Sequence, residues 1–558
     1  MDYSDVVIIG GVAAGPKTAA TLARRDGSLT ITLFQKEDLL SYGSCGLPYF
    51  ASGDIEAFSE LINTSYGVAR DAEFFEKTKG FKAITGAEVS AINRDEKFVT
   101  IKKLASGETI QHGYGKLVIA TGATPTPAPF PVAESRKISS FTRPSDAIAF
   151  RKAAQTGQVG KVAIVGGGFI GCELTEACAG LWGIETVLIE REPQILPYVL
   201  DNEMAEIAKR EMIRQDIDVI TGAEVQEVTL DDDGNPIVKI KGHDDVTADY
   251  VFLCLGVKPE VSLAKACGLN IGATGAIVVN EKMQTSDENI YAGGDCVETL
   301  NQITGRKFFI PMGSLANRHG RVIAENIIGN SASFPGALGA FFVKIFDINV
   351  GAVGLSQATA TRAGLTTKAV WGSFPDKPDY YPESGIFVTK LVYEPGTEKV
   401  LGLQAVGKGD ICRRIDSMSG LLQQKATLDT VLAFEHGYAP PYSEALDCLH
   451  HLAAMAKSGY TFENPIVDEG SELCRYHWVD VRETAEYAEA PLPEIPGRSV
   501  VNIPLGEIRD RIGELDKSKP IVISCMRGPR SYQAAVILKQ AGFEHVHILS
   551  GGFEASQR

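Results

Sequence analysis

Cys45 is the first residue whose type and setting could do chemistry. It lies in the stretch SYGSCGLPYF, a few dozen residues after a glycine-rich loop, and positions 40–50 hold no second cysteine. A lone sulfur cannot store two electrons as an internal disulfide, so it would react as a sulfenic acid, a persulfide or a mixed disulfide with a small thiol. The residues that follow predict the start of a helix, a position that lowers the pKa of a thiol.

Cys525 is the second candidate. It lies in the loop CMRGPRS, at the end of a predicted buried strand and just before a predicted helix. Consecutive backbone N–H groups at such a turn can surround a sulfur anion, and Arg527 and Arg530 add positive charge. The loop therefore predicts a site that stabilises a thiolate or a persulfide anion, with Cys525 and Arg530 as catalytic residues. The alternative is a module kept only for packing or binding.

A glycine-rich loop in residues 161–193 predicts dinucleotide binding. Gly166, Gly168 and Gly171 satisfy the whole G-x-G-x-x-G pattern between a strand and a helix, and Glu190 follows at the end of the next strand. A carboxylate at that position binds ribose hydroxyls and repels a 2′-phosphate. The loop therefore favours NADH over NADPH, a preference that the neighbouring Arg191 keeps moderate.

The first glycine-rich loop lies in DVVIIGGVAAGPKTAATLARR and matches the same pattern only in part. Gly10 and Gly15 occupy its first and third positions, but Val12 fills the second. The next strand ends in Gln35, which can still hydrogen-bond a ribose hydroxyl. The residues alone leave two interpretations open, nucleotide binding and plain strand–turn–helix packing.

Composition argues against several classes of protein. The chain has 54 Lys and Arg against 70 Asp and Glu, a net charge of −16, and no long basic run, which argues against a nucleic-acid partner. No signal-like segment and no apolar run of about 18 to 20 residues occurs, so we expect a soluble, cytoplasmic protein without a membrane partner. The ten cysteines are scattered and form no Cys-x-x-Cys, which predicts reduced thiols and no metal site.

The segment LDCLHHLA is a possible exception to the absence of metal. It contains Asp447, Cys448, His450 and His451, which we interpret as one packed helix face, because adjacent histidines diverge on a helix. A proton-transfer role for His450 or His451 near Cys45 stays open.

Two further segments, YGKLVIATGATP (114–125) and ENIYAGGDCVE (288–298), complete a pattern with the glycine loops. With these four motifs in this order, the chain resembles the flavin-dependent pyridine nucleotide–disulfide oxidoreductases. The resemblance implies FAD at the first loop and NADH at the second, with Phe169 shielding the flavin until nicotinamide enters. The residues implied to bind FAD are Gly10, Gly15, Gln35, Lys36, Thr121, Gly122 and Asp295, the last through the ribityl chain.

The lone Cys45 resembles the single-cysteine branch of that family. This branch includes NADH oxidases, NADH peroxidases, coenzyme A disulfide reductases and NADH-dependent persulfide reductases. CGLPY matches the two kinds of reductase, whereas Ser44 matches the oxidases and peroxidases, and Ala13 stands where peroxidases carry a histidine. The resemblance also implies coenzyme A as a substrate or bound carrier, with contacts from Arg24, Arg25, Ser41, Ser44 and Tyr381.

The C-terminal part of the chain resembles two further domains. Residues 335–458 resemble the family's interface domain, which implies a homodimer, and the segment YAPPYS implies that Tyr438 approaches the reactive cysteine across the dimer. Residues 309–329 resemble the helix that runs beside the flavin. From HWVDVRETAEY onwards the chain resembles a rhodanese domain throughout.

The predicted fold class is α/β, with two Rossmann-like domains for FAD and NAD, an α+β dimerisation domain and a C-terminal α/β rhodanese domain. The predicted boundaries are 1–155 and 276–334 for the FAD domain, 156–275 for the NAD domain, 335–458 for the dimerisation domain, 459–470 for a linker and 471–558 for the rhodanese domain.

These observations predict a flavoenzyme that uses NADH to reduce sulfur–sulfur bonds in persulfides, polysulfides or coenzyme A disulfide. Cys45 is the redox-active thiol, and Cys525 carries sulfane sulfur. Two alternatives remain open: an NADH oxidase or peroxidase that works through a Cys45 sulfenic acid, and a redox-sensing flavoprotein in which turnover is incidental.

Overall fold

The structure is a computed structural model that describes residues 1–458, 476–492, 499–549 and 551–553. The chain divides into two compact units. The first comprises Met1–Arg191 and Ala223–Ala337, and the second comprises Glu192–Gly222 and Leu338–Arg558. The predicted linker at 459–470 lies outside the described residues.

A seven-stranded sheet forms the centre of the first unit. Its first strand, Asp2–Ile9, runs parallel to Ile31–Phe34 on one side and to Thr109–Ile119 on the other. The apolar run VVII is buried throughout, as expected for a parallel strand covered on both faces. The strand order is Lys82–Ile84, Ile31–Phe34, Asp2–Ile9, Thr109–Ile119, Phe98–Lys103 and Ala87–Asn93, with Ile290–Ala292 paired to Thr109–Ile119.

A second parallel sheet in this unit carries the complete glycine loop. Its central strand, Lys161–Val165, pairs with Glu185–Glu190 and with Tyr250–Leu253, which in turn pairs with Ile138–Ser139. The smaller antiparallel strands are Val225–Leu230, Pro236–Ile240, Val246–Thr247, Ala123–Pro125, Val257–Pro259, Thr299–Leu300 and Lys307–Phe308. The α-helices are Ala14–Arg25, Leu47–Ser52, Phe58–Ile62, Ala72–Phe74, Pro144–Gln155, Phe169–Ala179, Ser262–Ala266 and Gly313–Ile327.

The second unit contains a five-stranded antiparallel sheet. Its strand order is Phe341–Ile345, Ile348–Gly354, Val400–Gly407, Ile386–Tyr393 and Lys368–Pro375. Every residue of Ile386–Tyr393 and Val400–Gly407 is buried, so these strands are covered on both faces. The associated helices are Asn202–Arg214, Gln357–Arg362, Cys412–Gln423, Leu428–Leu432 and Cys448–Lys457.

The end of the chain forms a four-stranded parallel sheet within the second unit. The strand order is Ser499–Asn502, His477–Asp480, Ile521–Ser524 and Val546–Ile548. Helices Thr484–Glu489 and Pro529–Gln540 accompany this sheet, and its apolar core includes Val479, Ile523 and Cys525. Cys525 therefore follows directly on a buried strand, as the sequence predicts.

The sheets agree with the predicted α/β fold class. The predicted domain boundaries stay predictions; the compact units divide the chain after residue 337 rather than 334, and they differ from the prediction more strongly in one other segment. Residues 192–222, which lie inside the predicted NAD domain, group with the second unit. The physical reason is a buried network in which Asp201 contacts Lys390 and Gln404.

Candidate functional site

The complete glycine loop has the geometry of a dinucleotide site. Gly166 has φ +112°, and a Cβ on Gly171 would lie 1.9 Å from the Gly166 carbonyl oxygen, so both positions require glycine. The buried Glu190 carboxylate accepts a hydrogen bond from the Gly167 N–H at 2.6 Å. Phe169, the first residue of the following helix, keeps 39% of its surface exposed. The loop, the acid and the aromatic ring are therefore grouped as predicted.

The first loop repeats this geometry despite its imperfect motif. A Cβ on Gly10 would lie 2.1 Å from the Ala120 carbonyl oxygen, and a Cβ on Gly15 would lie 1.9 Å from the Gly10 carbonyl oxygen. The Gln35 side chain accepts a hydrogen bond from the Gly11 N–H at 2.7 Å. Gln35 therefore has the same backbone contact as Glu190 in the other loop.

The remaining residues implied to bind FAD lie in the first unit. Thr121 donates a hydrogen bond to the Glu260 carbonyl oxygen at 2.7 Å, and Gly122 has φ +73°. Burial raises the pKa of Asp295, although a hydrogen bond from the Met312 backbone opposes that shift. Lys36 has 64% of its side chain exposed and forms an ion pair with Glu88 at 2.7 Å. The glycine cradle and the polar groups of this loop fit a dinucleotide such as FAD.

Cys45 lies in a short 3₁₀ turn, Ser44–Gly46, directly before the helix Leu47–Ser52. Its side chain is exposed and forms no disulfide. Partial desolvation by the surrounding atoms, followed by the charges of Glu173 and Asp295, raises the pKa of the Cys45 thiol, and a hydrogen bond with Ser44 offsets only part of this. The predicted helix start is correct, but the predicted lowering of the pKa is not what the polypeptide alone produces.

Gly313 lies beside the Cys45 sulfur. It is the first residue of the helix Gly313–Ile327, and a Cβ placed on it would lie 4.0 Å from the sulfur. The absence of a side chain at this position leaves space next to the thiol. The partial positive charge at the start of this 15-residue helix would favour a thiolate there.

Glu173 and Tyr49 are two residues near Cys45 that the sequence analysis did not select. The Tyr49 hydroxyl donates to the Glu173 carboxylate at 3.5 Å, a long contact. Burial raises the pKa of Glu173 to about 7, an effect that its hydrogen bond with Tyr49 reduces. Glu173 lies inside the helix that follows the complete glycine loop, so only its polar character in an apolar helix could have indicated it.

Replacing Glu173 with glutamine should lower the pKa of the Cys45 thiol. The Glu173 charge raises this pKa, so its removal should make the thiolate form at a lower pH and increase the alkylation rate near neutrality. The measurement is the pH dependence of Cys45 alkylation in a Cys412→Ser background, because Cys412 is also exposed. Glu176→Gln, one turn further along the helix, should shift the profile less; an equal shift in both variants would contradict the prediction.

The segments YAPPYS and DYYP of the second unit contain the two tyrosines that the resemblance selected. Tyr438 is 51% exposed, and its hydroxyl forms a hydrogen bond with Tyr380. The ring of Tyr381 instead has the Lys377 ammonium 5.4 Å from its centroid. Of the two tyrosines in DYYP, the one that interacts with Tyr438 is Tyr380, which the sequence analysis did not select.

A basic pocket of about 320 Å³ lies between helices Ala14–Arg25 and Gly313–Ile327. Arg25 forms an ion pair with Glu325 at 2.9 Å across it. The lining residues are Lys17, Thr21, Arg24, Arg25, Arg321 and Glu325. The two predicted arginines thus share one pocket.

Ser41 lies on the turn after Gln35, where its φ of +47° is unusual for a residue with a side chain, and its N–H donates to the Gly11 carbonyl.

The Cys525 sulfur is surrounded by backbone N–H groups as predicted. Gly528 and Ser531 donate to it at 3.0 Å and 3.4 Å, and Gly528 has φ +110°. Each of the two predicted arginines also has a carboxylate partner, which the sequence analysis did not anticipate. Arg530 pairs with Glu486 at 2.6 Å, and Arg527 pairs with Asp379 at 2.7 Å.

The histidines of LDCLHHLA are engaged in packing. His450 contacts the Phe434 carbonyl oxygen at 2.8 Å, His451 stacks on Phe374, and Asp447 forms a buried ion pair with Arg414 at 2.8 Å. Within the described ranges, no group of three or more His, Cys, Asp or Glu side chains could hold a metal ion.

In those same ranges, no helix has the length and apolar character that a membrane span requires.

Residues 4–308 match the family described as pyridine nucleotide-disulphide oxidoreductase. The chain belongs to this family. Residues 341–449 match the dimerisation domain of pyridine nucleotide-disulphide oxidoreductases, and residues 464–558 match the rhodanese-like domain. The predicted family and fold class are thereby confirmed.

Several relatives of known activity are similar to this pyridine nucleotide-disulphide oxidoreductase. A solved structure of an NAD-dependent persulfide reductase from A. fulgidus is 38% identical, covers 99% of both chains and has a TM-score of 0.93. An NAD(P)H sulfur oxidoreductase (CoA-dependent) from Pyrococcus abyssi is 33% identical over 81% of this chain and 98% of its own. An NADH oxidase from Methanocaldococcus jannaschii is 33% identical over 78% of this chain and 95% of its own.

Membership of the family establishes an enzyme that depends on FAD and a pyridine nucleotide. The two glycine loops, one ending on Gln35 and the other on Glu190, provide the two dinucleotide-shaped cradles that such an enzyme needs. The choice between NADH and NADPH and the identity of the electron acceptor depend on individual residues, because both sulfur reductases and an oxidase share this fold.

Proposed function

We propose that this enzyme uses NADH to reduce the sulfur–sulfur bond of persulfides, polysulfides or coenzyme A disulfide. The observation that carries the proposal is Cys45, an exposed thiol without a disulfide partner that lies beside the start of helix Gly313–Ile327. Similarity over 99% of the chain to a persulfide reductase, including the rhodanese part, supports the same acceptor. When bound, FAD supplies the transfer of an electron pair from NADH to the sulfur site.

Cys45 would work as the nucleophile. Its thiolate attacks the outer sulfur of a persulfide, the sulfur–sulfur bond breaks, the thiolate of the donor leaves, and Cys45 becomes a persulfide. The electron pair from NADH and one proton then release hydrogen sulfide and restore the thiolate. Gly313 leaves space for the added sulfur atom, and Glu173, with a pKa of about 7, can hold or release a proton close to this site.

Three further roles belong to this proposal. Tyr438 would approach Cys45 of the other subunit in a homodimer, with Tyr380 holding its hydroxyl. The basic pocket with Arg24 and Arg25 would bind the phosphates of coenzyme A. Cys525 would receive sulfane sulfur in its backbone cradle and present it to the reductase site.

The test is anaerobic NADH oxidation by the FAD-loaded protein with coenzyme A persulfide, glutathione persulfide or coenzyme A disulfide as the acceptor. Rapid oxidation with at least one of these supports the proposal, provided that each NADH releases one hydrosulfide from a persulfide or two thiols from coenzyme A disulfide. If none is reduced and only oxygen restores NADH consumption, the enzyme is an oxidase.

An NADH oxidase or peroxidase is the second candidate, and Ser44 is the residue that favours it. The Ser44 side chain, next to Cys45, acts to lower the pKa of the thiol, and its hydroxyl is a group that could stabilise a sulfenic acid there. Oxygen uptake equal to NADH consumption without any sulfur compound would support this candidate. Slow turnover on every acceptor together with a large redox-dependent change of shape would instead support a redox sensor.

Glu190→Gln should weaken the preference for NADH over NADPH. The glutamine keeps an oxygen for the Gly167 N–H but removes the charge that repels a 2′-phosphate, so kcat/KM for NADPH should rise about tenfold while that for NADH changes little. The measurement is kcat/KM with both coenzymes. Glu185→Gln, at the exposed start of the same strand, is the control and should change neither value; an unchanged ratio in Glu190→Gln would count against the proposed role of Glu190.

A further inference from the structure

Both arginines of the Cys525 loop are paired with carboxylates. Arg530 uses two nitrogens to bind the two oxygens of Glu486 at 2.6 Å and 2.7 Å. One nitrogen of Arg527 contacts both oxygens of Asp379 at 2.7 Å and 2.8 Å. The positive charges of these two residues are therefore offset by two negative charges.

The remaining stabilisation of the sulfur comes from neutral groups. The N–H groups of Gly528 and Ser531 donate to the Cys525 sulfur, which is itself buried. Backbone dipoles stabilise one negative charge at short range but add no net charge to attract a second one. The cradle is therefore suited to a singly charged sulfur.

Asp379 reaches Arg527 from outside the rhodanese sequence. It follows the strand Lys368–Pro375 of the antiparallel sheet, and this strand also contacts the rhodanese loop directly. The Ser373 hydroxyl donates to the Gly551 carbonyl at 2.7 Å, and the Ser373 N–H donates to the Arg527 carbonyl at 3.3 Å. The second of these hydrogen bonds holds the backbone of the Cys525 loop where the side chain of Arg527 meets Asp379.

We propose that Asp379 and Glu486 determine which sulfur donor Cys525 accepts, by favouring singly charged organic persulfides over the dianion thiosulfate. The proposal rests on the proposed role of Cys525 as a carrier of sulfane sulfur. A free guanidinium attracts a dianion about twice as strongly as a monoanion at the same distance. Pairing the guanidinium with a carboxylate therefore weakens its attraction for thiosulfate more than its attraction for a singly charged persulfide.

The chemical step is the same for both donors. The Cys525 thiolate attacks the outer sulfur, the sulfur–sulfur bond of the donor breaks, and Cys525 becomes a persulfide. The leaving group is a thiolate from an organic persulfide and sulfite from thiosulfate. Charge is conserved in both reactions, and no external oxidant or reductant is needed.

The test measures sulfur transfer to cyanide as thiocyanate, without NADH, from thiosulfate and from cysteine persulfide, which carries a single net negative charge, after subtraction of the reaction without protein. The full-length enzyme is compared with Asp379→Asn and Glu486→Gln. We expect kcat/KM for thiosulfate to rise about fivefold or more in each variant, while the value for the persulfide changes less than about twofold. The gain should shrink as salt concentration increases, because it is electrostatic.

Two matched controls remove a carboxylate paired with a basic side chain elsewhere. Glu514→Gln removes one of the two carboxylates that pair with Arg511 in the rhodanese part, and Asp347→Asn removes the partner of Lys408, next to the antiparallel sheet. Neither should change the preference between donors. An unchanged preference in both test variants, or a parallel fall with both donors, would overturn the proposal, because the carboxylates would then only hold the loop.

The outcome is separable from that of the proposed function. If the unaltered enzyme transfers sulfur from neither donor, this proposal and the carrier role of Cys525 both fail. NADH-dependent persulfide reduction at Cys45 is measured in a different assay and would still stand or fall on its own.

Discussion

Replacing Cys45 with serine should lower NADH-dependent reduction of a persulfide by about 1,000-fold or more. A serine hydroxyl does not form the anion near neutral pH and cannot hold the added sulfur, so the acceptor half of the reaction loses its nucleophile. The side chain is exposed, so the fold and the two glycine loops should be unaffected. The measurement is anaerobic NADH oxidation together with the visible absorbance of bound FAD, which should be unchanged.

Cys412→Ser is the matched control for this variant. Cys412 is also exposed and also lies at the first turn of a helix, but its substitution should leave the rate unchanged. If Cys45→Ser keeps more than about a tenth of the activity while FAD is bound, the sulfur chemistry takes place elsewhere and the proposed mechanism is wrong.

Replacing Lys390 with methionine should markedly lower the free energy of unfolding of the second unit. Lys390 is 2% exposed, contacts the Asp201 carboxylate at 2.8 Å and also bonds to Glu203. Methionine fills a similar volume but leaves the buried Asp201 without its cation, and breaking a buried ion pair in this way costs about 3–5 kcal/mol. Gln404, which donates to Asp201 at 2.7 Å, compensates only in part.

Hydrogen exchange is a suitable measurement because a protein with several domains does not unfold in one step. The free energies of opening of strands Ile386–Tyr393 and Val400–Gly407 should fall by about 3–5 kcal/mol, the cost of breaking the buried ion pair. Lys408→Met removes an exposed partner of Asp347 and should change them by about 0–1 kcal/mol. Equal changes in the two variants would contradict the importance of the buried pair.

The same pair predicts how this protection depends on pH. Burial alone would raise the pKa of Asp201, but Lys390 and hydrogen bonds from Ala358 and Gln404 outweigh burial and lower it. Because the folded pKa is below the unfolded value of about 3.9, the stabilisation is complete above that pH and is lost as the pH falls through the folded pKa. Protection of these strands should therefore decline only in acid.

The features that depend on spacing along the chain were predictable. The glycines at 166, 168 and 171, the turn around Cys525 and the alternation of strands and helices are local patterns, and the structure contains each of them. Gln35 shows that a motif with one missing glycine can still build the same contact, because the backbone path, which Gly10 and Gly15 permit, determines that geometry.

The pairings of charges could not be predicted in this way. Asp379 and Arg527 are 148 residues apart, and Tyr49 and Glu173 are 124 residues apart. Such contacts depend on how the sheets pack and leave no regular spacing in the sequence. Partners of this kind also account for two features that the sequence analysis did not anticipate: the effect of the Glu173 charge on the pKa of Cys45, and the carboxylates that pair with the arginines of the Cys525 loop.

The strand Ile386–Tyr393 has a consequence for how the chain assembles. Its sequence, IFVTKLVY, combines high β propensity with only one charge, so an unfolded chain would expose a segment prone to aggregation. Lys390 lies in the middle of this segment and interrupts it. Asp201 precedes it in the chain and is therefore synthesised first, so its carboxylate is already available when the strand emerges. One buried lysine can thus protect the chain from aggregation before folding and stabilise the same strand afterwards.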